Sequence, residues 1–184
     1  MRKEQFEKIL NILAESSSAP EIFIVGSQAL YGVLDEIPRV AFLSNEVDVL
    51  VSDEKTIDII EKLVGITSEF YFEYGCYAHA LDIKANLAFP QDWKTNAIVT
   101  TMMMSDIPVK CVFMSPADLC ASKLAAGRKK DLEFVNWLLR ESIVDSGEIC
   151  GSIKNLPEKY QQSDAEYMLT KVVSQTISPS SMEI

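Results

Sequence analysis

The amino-acid sequence predicts an α/β or α+β fold in which helices flank a mixed sheet and the C-terminal part is helical. Helical and strand-like hydrophobic patterns alternate at first, several strands follow, and only helical patterns come after them. The composition agrees with such a fold, since 48% of the 184 residues are hydrophobic and 24% are charged. A chain of this kind can bury a core and has room for one domain with a small appendage.

Helical and strand-like segments alternate in the N-terminal half. Phe6, Ile9 and Leu13 recur at helical spacing, whereas acidic and apolar residues alternate along 46–51, as in a strand with two distinct faces. Asp53 is well placed to cap the helix that follows. The predicted elements are a helix over 3–15, a strand over 22–25, a helical turn over 28–31, a loop over 35–45, a strand over 46–51 and a helix over 54–64.

Strands and then helices follow in the C-terminal half. Aromatic-rich segments predict two strands, and the turn residues at 105–108 predict a hairpin. Ser115-Pro116 is typical of a helix start, and Gly127 of a helix end or bend. The predicted elements are strands over 69–73 and 77–84, hairpin strands over 97–103 and 108–114, a helix from 116, a helix over 129–140 and one or two small helices within 147–173.

These elements predict a main domain over 1–142, a helical extension over 143–177 and a frayed tail over 178–184.

The 17 basic and 27 acidic residues give a net charge of −10, which argues against broad, charge-driven binding to DNA. No apolar run approaches the roughly 20 residues of a transmembrane helix. The N-terminus has the amphipathic pattern of a helix rather than that of a signal peptide. We therefore expect a cytoplasmic protein with no membrane association.

Cysteine and histidine content argues against several kinds of site. The four cysteines form no CxxC pair, and His79 is the only histidine. A structural zinc site needs about four clustered ligands, and a Ser-His-Asp triad finds no GxSxG elbow here. Enzymatic chemistry in this chain would therefore use carboxylates and a metal. His79 itself is interpreted as a structural histidine, with a supporting role behind a metal ligand as the alternative.

Two neighbouring segments offer candidate chemistry. Gly26-Ser27 stands between a strand and a helical turn, where backbone N–H groups and the serine hydroxyl can bind a phosphate, although such a turn is also an ordinary loop. Glu46 and Asp48 are two apart on a strand and share one face, where Mg²⁺ would relieve their repulsion. A solvent-facing strand edge is the alternative. Asp82 is a candidate third carboxylate, or an exposed strand acid.

A basic cluster near the C-terminal helices is the third candidate. Lys123 lies in an otherwise almost apolar segment, which favours a position in or at the edge of a cleft, where it can hold a triphosphate. Asp131 lies near the start of the next helix, where an acid also favours the helix dipole. Arg128, Lys129 and Lys130 form either a basic rim or a solvated face.

Taken together, these segments resemble the DNA polymerase β-like nucleotidyltransferase superfamily, whose pattern is a Gly-Ser turn followed by two acids one residue apart. More narrowly, the chain is similar to the bacterial nucleotidyltransferase-like group related to the AbiEii and MenT toxins. The resemblance spans roughly residues 20–140. It is carried by Ile24-Val25-Gly26-Ser27-Gln28-Ala29-Leu30, Ser44-Asn45-Glu46-Val47-Asp48, Tyr74-Gly75-Cys76-Tyr77-Ala78, Ser115-Pro116-Ala117-Asp118-Leu119 and the segment from Ser122 to Phe134.

The resemblance implies a nucleotidyltransferase-like mixed sheet and a role for each matched residue. Gly26 and Ser27 would hold the triphosphate of an NTP, with Lys123 and Arg128 contacting phosphate. Glu46 and Asp48 would ligate Mg²⁺, with Asp82 as a candidate third ligand, and Asp131 would complete the catalytic set of Glu46, Asp48 and Lys123. Glu46 departs from the family pattern, because most of the superfamily has aspartate there.

The implied reaction is Mg²⁺-dependent transfer of a nucleoside monophosphate from an NTP to a hydroxyl of RNA (tRNA) or protein. A protein of this kind would act as a toxin or phage-defence effector, and a cognate antitoxin would be its partner. Two alternatives stay open. One is a non-catalytic nucleotide- or partner-binding module on the same fold. The other is a nucleotidyltransferase that modifies a small cationic antibiotic, which an acidic cleft would accept.

Overall fold

A computed structural model describes residues 1–16, 21–37, 44–85, 87–160 and 162–177. Its strands are Glu21–Val25 (β1), Glu46–Val51 (β2), Tyr77–Asp82 (β3), Ile98–Met104 (β4) and Ile107–Phe113 (β5). Its α-helices are Lys3–Ser16 (α1), Glu54–Val64 (α2), Glu69–Tyr74 (α3), Trp93–Asn96 (α4), Pro116–Ala126 (α5), Lys129–Arg140 (α6), Ser146–Lys154 (α7) and Gln162–Ile177 (α8). A 3₁₀ turn spans Ser27–Gly32.

The chain forms two compact units, here named the sheet unit (Met1–Leu87 with Ala97–Ser115) and the helical unit (Ala88–Asn96 with Pro116–Ile184). The sheet unit holds all five described strands in the order β3-β2-β1-β5-β4. β1 pairs antiparallel with β2 and parallel with β5, while β2 pairs parallel with β3 and β4 antiparallel with β5. The sheet is therefore mixed and flanked by helices, as the sequence predicts.

Alternation along β2 separates a buried face from a polar one. Val47 and Val49 are buried, whereas Glu46 and Asp48 on the opposite face are partly exposed. On α1, the apolar stripe is buried as its helical spacing predicts; its buried members are Phe6, Ile9, Leu10, Leu13 and Ala14. The packing of these apolar side chains stabilises the sheet unit and leaves the polar face of β2 available for a site.

In the helical unit, α5 packs against α6, α7 and α8. Buried apolar side chains on α5, α6 and α7 form its core; these include Leu119, Leu124, Val135, Leu138, Ile149 and Ile153. The helical C-terminal part is thus confirmed. Within the described ranges, every helix is too short or too polar to span a lipid bilayer.

The predicted strand over 69–73 is wrong, because these residues form helix α3. Ser68 caps its start by accepting a hydrogen bond from the Tyr71 N–H, and Gly75 ends it with a left-handed φ of 65°. A serine cap and a terminal glycine together outweigh the strand preference of aromatic residues. The hairpin, in contrast, is confirmed, with Ser105 and Asp106 both at positive φ in its two-residue turn.

The domain division at 142/143 stays a prediction. The tail over 178–184 lies outside the described residues, as do residues 38–43 of the predicted loop.

We expect Ser68→Ala to lower the free energy of unfolding by about 1–2 kcal/mol. The buried Ser68 hydroxyl accepts from the Tyr71 N–H at 3.2 Å and donates to the Gly65 carbonyl at 2.7 Å, and alanine removes both bonds. Urea unfolding followed by circular dichroism measures the change, with the exposed neighbour variant Thr67→Ala as control. Equal unfolding midpoints for the two variants would contradict the capping role.

Candidate active site

The site in the sheet unit begins at the end of β1. Gly26 has φ 67° and ψ −166°, a backbone conformation that is essentially restricted to glycine. Asp48 lies opposite Val25 in the antiparallel register, next to this turn. A Cβ added to Gly26 would lie only 2.1 Å from Asp48 Oδ2. The glycine is therefore required twice, once for its φ and once for the close approach of a carboxylate to the backbone.

Glu46 and Asp48, here called the carboxylate pair, project from one face of β2. Both are partly exposed, and 22% of the Asp48 side chain is accessible to solvent. Partial exposure leaves room for a ligand, and partial burial strengthens electrostatic interactions relative to those in bulk water.

His79 joins the carboxylate pair from β3. The parallel register places His79 directly beside Asp48, and its Nδ1 lies 3.2 Å from Asp48 Oδ1. Its side chain is 48% exposed, so it is not a buried structural histidine. The geometry therefore favours the alternative interpretation, a role beside the carboxylate pair. Only the strand pairing could have identified it, because β2 and β3 are separated by two helices in the sequence.

Tyr77 contacts the other carboxylate. Its hydroxyl donates to Glu46 Oε2 at 2.7 Å. The hydrogen bond to Glu46 and, secondly, burial raise the pKa of Tyr77 to about 12. The phenol is therefore neutral at ordinary pH, and it orients Glu46 without neutralising its charge.

Asp82 does not reach the carboxylate pair. It is paired with Val51, at the opposite end of β2 from Glu46 and on the opposite face of the sheet. Its carboxylate accepts a hydrogen bond from the Lys84 N–H at 2.8 Å, at the turn that follows β3. The prediction that Asp82 supplies the third donor therefore fails on strand alternation, and His79 stands in that position instead.

A second cluster lies within the helical unit. Asp131 is 1% exposed, and its carboxylate accepts hydrogen bonds from Arg128 Nε and Nη2, the latter at 3.2 Å. Lys123 Nζ lies 3.4 Å from Asp131 Oδ1 and 4.6 Å from the centre of the Phe134 ring. The structure thus brings together Lys123, Arg128 and Asp131, three of the predicted site residues.

The pairing with buried Asp131 distinguishes Lys123 and Arg128 from their basic neighbours. The Lys123 side chain is 14% exposed and the Arg128 side chain 60%, whereas that of Lys129 is 92% exposed and only pairs with Glu133 at 3.8 Å. Lys129 belongs to a solvated helix face. We name Lys123 and Arg128 the cationic pair, since one buried carboxylate holds both.

A family model described as "Nucleotidyltransferase of unknown function (DUF6036)" matches residues 3–168. The chain belongs to this nucleotidyltransferase family. The match covers both clusters described above. Comparison with curated proteins and with solved structures finds no match. The narrower relation to the AbiEii and MenT toxins stays a prediction.

Membership in a nucleotidyltransferase family implies an NTP substrate and, typically, a divalent metal. The donor set fits such an ion, because Glu46, Asp48 and His79 each offer one ligand atom and these atoms lie within 4.8 Å of one another. Carboxylate oxygens suit Mg²⁺, and imidazole suits transition metals. The residues that would hold the ion are therefore the carboxylate pair and His79.

We expect Gly26→Ala to destabilise this nucleotidyltransferase by about 2 kcal/mol or more, because the methyl group combines a forbidden φ with a collision at Asp48. The matched control is Gly75→Ala, since Gly75 has φ 65° but open space around an added Cβ. This substitution should lower the free energy of unfolding by about 1 kcal/mol. Urea unfolding compares the two. Equal losses would show that the contact with Asp48 exerts no steric constraint.

Tyr77 should ionise only at strongly alkaline pH in chelator-treated protein. The difference in phenolate absorbance between wild type and Tyr77→Phe should show half-titration at about 12, and Glu46→Gln should move it back toward the ordinary value of 10.0. Because the folded-state pKa is raised, the stabilisation is complete below pH 10.0 and is lost as pH rises through about 12.

Tyr31 is the internal control for this titration. Burial rather than a carboxylate bond is the main cause that raises its pKa to about 12, so Glu46→Gln should leave it unchanged. An unaltered Tyr77 titration in Glu46→Gln would contradict the assigned cause.

Proposed function

We propose that this nucleotidyltransferase transfers a nucleoside monophosphate from an NTP to a hydroxyl of tRNA or protein. The reaction depends on a divalent metal ion such as Mg²⁺. The observation that carries the proposal is the carboxylate pair on one strand face, with Asp48 against the glycine turn that ends β1. Two partly exposed carboxylates so close together repel each other unless a cation lies between them. A divalent ion supplies that positive charge and can bind the phosphates of an NTP at the same time.

Each part of the chain has a defined task in this proposal. Glu46 and Asp48 hold the ion, and the partly exposed backbone at Gly26 with the Ser27 hydroxyl holds the polyphosphate. Within the helical unit, Asp131 fixes the orientation of the cationic pair, the two residues that the resemblance assigns to phosphate. When bound, the ion neutralises negative charge that develops on the transferring phosphoryl group.

The acceptor oxygen forms a new bond to the α-phosphorus, the bond to pyrophosphate breaks, and the hydroxyl proton passes to solvent. No side chain becomes covalently attached in this reaction. The acceptor class, the role as toxin or phage-defence effector and the partnership with an antitoxin rest on the resemblance to AbiEii and MenT toxins. The net charge of −10 makes local contacts, rather than a broad basic surface, the means of engaging any RNA.

The test is transfer of label from α-labelled NTPs to tRNA or to proteins of a cell lysate. We expect Asp48→Asn to reduce transfer by about 100-fold or more, because it removes one negative ligand while preserving side-chain size. The matched control is Asp82→Asn, which makes the same chemical change on the opposite sheet face and should retain wild-type transfer.

Two outcomes would overturn the catalytic proposal. One is equal labelling by wild type and Asp48→Asn. The other is the absence of labelling by wild type together with calorimetric binding of NTP, which would favour the non-catalytic binding module. Labelling of a small cationic antibiotic instead of tRNA or protein would reject the proposed acceptor class and retain the chemistry.

A further inference from the structure

The third donor beside the carboxylate pair is a nitrogen atom. His79 Nδ1 lies 3.2 Å from Asp48 Oδ1, and Glu46 offers an oxygen within the same 4.8 Å cluster. The carboxylate expected at this place, Asp82, lies on the other face of the sheet. A pocket with two oxygen donors and one imidazole differs in its chemistry from an all-oxygen pocket.

The distance between Nδ1 and Oδ1 suits two neighbouring ligands of one ion. Metal–nitrogen and metal–oxygen bonds of about 2.1 Å place ligands at right angles about 3 Å apart. The parallel pairing of β2 with β3 keeps this spacing, because Asp48 and His79 are direct neighbours across the ladder. The side chain of His79 is also 48% exposed, so there is space beside it for further ligands such as phosphate oxygens.

We propose that His79 is a direct metal ligand and that it shifts this site from Mg²⁺ toward a first-row transition-metal dication such as Mn²⁺. The inference rests on the proposed metal-dependent function and specifies its ion. Mg²⁺ demands hard oxygen ligands and gains little from imidazole, whereas transition-metal dications accept nitrogen readily. The physiological ion of this site is therefore set by a residue on β3, not by the carboxylate pair alone.

The wild-type protein allows a first test, that of whether Mn²⁺ binds beside His79, because His79 is the only histidine and its ring signals are unambiguous in an NMR spectrum. Substoichiometric MnCl₂ added to the nucleotide-free chain should broaden these ring signals beyond detection, and excess MgCl₂ should restore them only at much higher concentration. Mn²⁺ that binds without affecting the ring would overturn the proposal, as would the absence of any Mn²⁺ binding.

Variants then measure selectivity. The ratio of Mn²⁺ to Mg²⁺ affinity, from electron paramagnetic resonance with Mg²⁺ competition, should fall by about tenfold or more in His79→Asp, which creates an all-oxygen site. Asp82→Asn should keep the wild-type ratio. An unchanged ratio in a folded His79→Asp protein would reject the ligand role.

Failure of this inference and failure of the proposed function give different results. Label transfer that proceeds with a metal-affinity ratio insensitive to His79 retains the function and rejects the inference. Mn²⁺ binding that depends on His79, without label transfer in any metal, retains the metal assignment and rejects the function.

Discussion

The contact between the Asp48 carboxylate and the Gly26 backbone is the steric constraint on which the site in the sheet unit depends. Any side chain at position 26 would occupy the space that Asp48 Oδ2 already fills. Antiparallel pairing of β1 with β2 generates this contact, because it sets Val25 opposite Asp48. The parallel register of β2 with β3 then places His79 beside Asp48, and so the whole donor set follows from two strand registers.

Local patterns in the sequence predicted much of the architecture, since caps, turns and hydrophobic periodicity act over a few residues. The helix stripe that begins at Phe6 and the acid–apolar alternation of β2 are such signals, and both are confirmed. The strand prediction for residues 69–73 is wrong because their aromatic content favours a strand, whereas the flanking Ser68 and Gly75 start and end a helix. The residues that start and stop a helix therefore outweigh aromatic composition in this segment.

The candidate site shows the same division between local and long-range information. Glu46 and Asp48 share a strand face, which spacing alone predicts, and Lys123, Arg128 and Asp131 are close in sequence. His79 becomes part of the site only through the parallel pairing of β2 with β3, which no short pattern encodes. Asp82 is three residues after His79 on β3. Because side chains alternate along a strand, Asp82 lies on the sheet face opposite to His79 and the carboxylate pair.

The neighbour that contacts Glu46 is a neutral hydrogen-bond donor rather than a cation. A lysine hydrogen-bonded to Glu46 would neutralise it permanently and compete with a divalent ion for the same oxygens. Tyr77 instead donates a hydrogen bond as a neutral phenol, which fixes the Glu46 carboxylate and preserves its charge. The opposite solution operates at Asp131, a carboxylate that is almost fully buried and held by both Arg128 and Lys123. The charge of Glu46 is thus not balanced by a cationic side chain at this hydrogen bond, whereas Asp131 already pairs with two cations of the protein itself.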